Sequence, residues 1–136
     1  MDFKAQMSVM VQLSLVDNKL SNIEKRYIYA LGKANAVPER EIDQVFEDHL
    51  SSKKMAMPDL GQLSEDEKFE YLYNIVQLMK VDKKVYLSEI RFCQKLAKKL
   101  GYKASVVSEL SGGIFSDPSV TSDRDYLKTL IQKHKA

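Results

Sequence analysis

The stretch VQLSLVDNKLSNIEKRYIYALGK, beginning at Val11, is written again as VQLMKVDKKVYLSEIRFCQKLAKK from Val76. Superposed without a gap, the two share Val-Gln-Leu, Val-Asp, a Lys two positions after the Asp, a Glu, an Arg, an aromatic, a Leu and a Lys. The register is 65 residues, so Asp17 falls on Asp82 and Glu24 on Glu89. A chain of 136 residues with such a repeat is expected to fold as one domain built from two related helical hairpins. Repeat one covers about 3–50, repeat two about 64–111, and a C-terminal helix about 122–134.

Apolar residues recur at helical spacing along most of the chain. Phe3, Met7, Met10 and Val11 begin a first helix that runs to about Val16. Ser21-Asn22-Ile23-Glu24 is a capping box, in which hydroxyl and carboxylate each satisfy an orphan backbone donor. It opens a second helix with Ile23, Tyr27, Ile28 and Leu31 on its inward face. Pro38 suits a first-turn position of a third helix carrying Ile42, Val45 and Phe46. Residues 51–63 connect the halves.

Ser64-Glu65-Asp66-Glu67 is a second capping box, with three acids offsetting the dipole of a helix marked by Phe69, Leu72, Ile75, Val76 and Met79. A fifth helix is expected from Ser88 to Leu100, ended by Gly101, and Val106, Val107 and Leu110 mark a short sixth. Ser111–Thr121 reads as a loop, and Asp123–Lys133 as a last helix using Tyr126, Leu130 and Ile131. No segment alternates with period two. The expectation is an all-α bundle of about seven helices with an internal pseudo-two-fold hairpin duplication.

The acids carry the chemistry. In both copies an Asp closes one helix, where the exposed carbonyls already carry partial negative charge, and a Glu follows in the first turn of the next. If the hairpins face each other, Asp17, Glu24, Asp82 and Glu89 converge, and four hard oxygen donors favour calcium, magnesium or manganese over zinc. A plainer alternative has these groups only capping helices and pairing with Lys19 and Lys84. The spacing excludes an EF-hand, which needs alternate acids, a Gly at the sixth position and a Glu at the twelfth.

Val16-Asp17-Asn18-Lys19-Leu20-Ser21-Asn22-Ile23-Glu24 resembles the Asp-Gly-x-Ile-Ser-x-x-Glu signature of the TerB-like family, named for tellurite-resistance proteins. Val81-Asp82-Lys83-Lys84-Val85-Tyr86-Leu87-Ser88-Glu89 resembles its second copy. The family's Gly is replaced by Asn18 and Lys83. The resemblance covers about residues 5–110. It implies a duplicated all-α domain that binds a divalent cation through Asp17, Glu24, Asp82 and Glu89, in complexes linked to stress response.

The remaining features carry less. The net charge of +2 gives no electrostatic footprint for nucleic acid. Arg91, Lys95, Lys98 and Lys99 read as a solvated face of the fifth helix, with the acidic run Glu39–Asp48 as a potential complement. The single cysteine, Cys93, reads as a buried thiol in a reducing, cytoplasmic setting. His49 and His134 read as surface residues, and no stretch is apolar enough to span a membrane. The expected role is a non-enzymatic binding or scaffold module with a protein partner. Its alternatives are a purely structural interaction module without metal, and a metal-dependent hydrolase using the same acids.

Overall fold

The computed structural model describes residues 3–15, 21–51, 60, 63–81, 87–114 and 123–136. Among these the chain is all-α, with seven helices: α1 Phe3–Leu15, α2 Asn22–Ala34, α3 Glu39–Ser51, α4 Glu65–Lys80, α5 Leu87–Lys99, α6 Val106–Gly113 and α7 Arg124–Gln132. The described residues contain no strand; Tyr102 and Lys135 form an isolated antiparallel bridge. No described helix is long and apolar enough to cross a membrane.

Local chemistry sets the boundaries. Ser21 Oγ accepts from the Glu24 N–H at 3.1 Å, and Glu24 Oε1 accepts from the Ser21 N–H at 3.2 Å. Ser64 and Glu67 repeat the exchange at 3.2 and 3.1 Å. Each such cap contributes about 1 kcal/mol. At the other end, α2 and α5 close alike. The Asn35 N–H reaches Leu31 and Gly32, and Val37 reaches back to Gly32; the Leu100 N–H reaches Leu96 and Ala97, and Tyr102 reaches back to Ala97. Both closures need one residue with positive φ, and these are Ala36 at 61° and Gly101 at 93°.

The residues of these two closures are each 65 positions apart, whereas the two capping boxes are 43 apart. α2 and α5 share both boundaries in that register, and α1 and α4 share their last residue. The packing follows the same exchange. α1 lies on α2 and α3 as α4 lies on α5 and α6, α2 meets α3 as α5 meets α6, and α1 meets α5 as α4 meets α2. α7 falls outside this scheme and packs on α6.

α4 is the central element. Every residue from Tyr71 to Met79 is buried, because α1, α2, α5 and α6 surround it. The core gathers Met7, Met10, Leu13, Ile28, Ile42, Ile75, Leu78, Leu96 and Leu110. Gly32 lets α2 approach closely, since a Cβ there would sit 2.8 Å from Ile42 Cδ1. The tail is tied down by the Lys103 N–H to the His134 carbonyl at 2.6 Å and the Ala136 N–H to the Gly101 carbonyl at 2.9 Å.

Four expectations are corrected. Ile23 is 49% exposed, because the first turn of α2 turns the capping residue Glu24 inward and Ile23 outward. Tyr126 is likewise exposed, and α7 buries Leu127 in its place beside the expected Ile131. Ser111 to Gly113 belong to α6, where Gly113 accommodates Leu127 against its bare Cα. His49 is only 7% exposed and bonds Ser8 Oγ at 2.7 Å through Nε2, because α3 turns that side chain against α1. Cys93 is fully buried, with its Sγ 3.8 Å from Met79 Sδ, and Arg91, Lys95, Lys98 and Lys99 are exposed.

Candidate functional site

Two first-turn glutamates are the most unusual buried groups in the molecule. Glu24 in α2 and Glu89 in α5 are each only 3% exposed, although a carboxylate is seldom fully buried without partners. Each engages in interactions within the fold. For Glu24 one of these is the Ser21 N–H, which accounts for one oxygen and leaves the other to its surroundings. The negative charge of Glu89 is felt one turn on by Cys93, whose thiol is pushed far up, first by burial and then by that carboxylate.

Contacts deeper in the bundle locate the helix ends that border the acidic segments. Tyr27 donates to Gln77 Oε1 at 2.8 Å. One and two turns later, Leu31 and Asn35 share a recess with Asn74 and Glu70, which lie progressively earlier in α4. α2 therefore runs antiparallel to α4, and its N-terminus lies beside the C-terminus of α4. α5 also runs antiparallel to α4, since its middle residue Cys93 meets Met79 while Tyr102, beyond its C-terminus, donates to Glu65 Oε2 at 3.0 Å at the start of α4. The N-terminus of α5 is therefore at the same end. Thus Ser21, Val81 and Leu87, three of the four described residues that border the two acidic segments, are gathered at one end of the bundle. Asp17 and Asp82 lie outside the described residues. The described residues alone contain no group of three or more His, Cys, Asp or Glu placed to hold a metal ion.

A second polar feature escaped the sequence reading. Gln6, Asn74 and Gln77 are buried among apolar neighbours, and Asn74 Nδ2 donates to Gln6 Oε1. These amides, with Tyr27, make a polar layer across the α1–α2–α4 junction. Burial drives the Tyr27 hydroxyl pKa far upward, so it stays a donor at any ordinary pH. The only hint in the sequence is that Gln6, Asn74 and Gln77 fall on helix faces whose neighbours are apolar. At the outer edge, Arg124 Nη1 bonds Glu70 Oε1 at 2.7 Å, with its guanidinium 4.2 Å from the centroid of the Tyr73 ring.

No family model, no curated protein and no solved structure matches the chain.

Proposed function

We infer that the chain is a non-enzymatic, TerB-like helical binding module with a pseudo-two-fold hairpin duplication, and that a divalent cation at Asp17, Glu24, Asp82 and Glu89 governs its shape. One observation carries this reading: Glu24 and Glu89, 65 positions apart, are equally buried in the first turns of two helices whose N-termini share one end of the bundle. A carboxylate withdrawn from water needs compensation by hydrogen bonds or a cation. The residues present fit calcium, magnesium or manganese, since all four side chains offer hard oxygen donors. The ion would supply charge neutralisation. The chain's part is to hold the two hairpins at the angle those carboxylates share, and so present one surface to a protein partner, in the cytoplasm and in connection with stress.

The Ser21–Glu24 capping box favours a second reading, in which these acids serve helix ends alone and the module binds its partner without metal. Thermal unfolding with calcium, magnesium or manganese separates the two. An ion that binds only the folded chain raises Tm with concentration, by about 2.7 kcal/mol of stabilisation at a hundredfold excess over Kd. The cation reading requires that rise to disappear in Asp17→Ala and Glu89→Ala. No shift with any of the three ions leaves the metal-free module.

A further inference from the structure

We propose that the recess between α1, α2, α4 and α7 is a binding site for a small zwitterion of α-amino-acid size. The recess has a volume of about 240 Å³. Since a water molecule occupies roughly 30 Å³, it has room for a ligand of about eight to ten non-hydrogen atoms. That is below the range of about 300–1,000 Å³ for drug-sized ligands, so the class of molecule is small.

Its lining is polar in a specific way. Glu70 and Arg124 bring one negative and one positive group to the same wall, held together at 2.7 Å. The Tyr73 ring supports the guanidinium from behind, fixing a planar fork that carries five donors. A ligand carboxylate suits that fork, and a ligand ammonium suits the adjacent carboxylate. Two side-chain amides, Asn35 and Asn74, supply both donors and acceptors for a polar side chain, with Asn74 held by its bond to the fully buried Gln6. Phe3 and Leu31 complete the wall with apolar surface. Asn74 is itself deeply buried, and its hydrogen bond to Gln6 orients it before anything enters. Such preorganised, convergent polar groups in a concavity are the usual signature of a small-molecule site.

The recess lies toward the C-terminal end of α2, away from Glu24, so this proposal does not rest on the cation reading. Three elements of repeat-related helices and the added α7 all contribute, which gives α7 a role beyond covering the core.

The side-chain amide protons of Asn35 and Asn74 make the test direct. The ¹⁵N-labelled full chain is titrated with each of the twenty L-amino acids to about 10 mM, a range that detects Kd values into the millimolar region. At least one amino acid should shift these two NH₂ pairs saturably, whereas acetate and ethylammonium, each with half of the zwitterion, should not. Arg124→Gln should weaken binding by about tenfold or more, the loss expected for a charge-assisted pair. Asn35→Leu removes the exposed rim amide at nearly constant size and should weaken binding while the fold, followed by circular dichroism, is kept. The proposal is overturned if no amino acid moves the two amides, if acetate or ethylammonium moves them as well, or if both variants bind as the parent does.

Discussion

Tyr27 and Gln77, fifty residues apart, meet through a 2.8 Å hydrogen bond in the interior and tie the beginning of α2 to the end of α4. In the 65-residue register Phe92 stands where Tyr27 does and Gln12 where Gln77 does, and Phe92 has no hydroxyl. Gln12 Nε2 is the buried side-chain polar atom without a hydrogen-bond partner among the described residues.

Two opposite effects are expected from that asymmetry. Tyr27→Phe removes the donor to Gln77 Oε1 and should cost about 1–3 kcal/mol in urea unfolding. If the 65-residue register holds in space, Phe92→Tyr gives Gln12 Nε2 an acceptor and should stabilise by about 1 kcal/mol. A neutral or destabilising Phe92→Tyr would show that the two interhelical pairs are not equivalent in space.

Ala36 and Gly101 offer a second reciprocal pair. Both close their helices with positive φ, yet the first carries a Cβ. Ala36→Gly should stabilise, and Gly101→Ala should destabilise even though the added Cβ has open space, each by about 1 kcal/mol. Denaturant midpoints read both. Equal, unsigned changes would remove backbone strain as the cause.

His49 should make stability fall with acid. Burial between α1 and α3 lowers its pKa below the ordinary value, outweighing the opposite pull of Asp48. Its contribution is therefore complete above the unfolded pKa of about 6.5 and is lost as the pH falls from there through the folded value. In that window the unfolded chain binds the extra proton. Urea midpoints measured between pH 7 and pH 5 should decline less in His49→Gln than in the parent, and parallel declines would refute the role assigned to His49.

Cys93 should behave as a reporter of unfolding. Its thiol is fully buried and its pKa is driven far up by burial and by Glu89, so little thiolate exists in the folded chain. Ellman's reagent should react at a rate set by opening of the α4–α5 contact and accelerate with denaturant. Immediate labelling of the native protein at neutral pH would contradict this packing.

Some of this architecture was legible because it is local. The capping boxes at Ser21 and Ser64 name their helix starts, Gly101 names a helix end, and the 65-residue register aligns α2 with α5 to the residue. Local rules misplaced Ile23, Tyr126 and His49, because a helix has several partners and periodicity does not say which arc each partner covers. Ile23 faces water because the first turn of α2 presents Glu24, and not Ile23, to the interior. His49 is covered only because α3 packs across α1.

The same division holds for the candidate sites. Glu24 and Glu89 are visible in sequence as a matched pair of first-turn acids, since a carboxylate there answers exposed backbone N–H groups wherever the helix lies. Their burial is not visible, nor is the recess of Gln6, Asn35, Asn74, Glu70 and Arg124, drawn from four helices spread over more than a hundred residues. Hydrogen bonds within a turn act over a few residues and so write themselves into the chain. Exclusion of water depends on which distant surfaces come to rest against one another, and only the packing of the helices settled that.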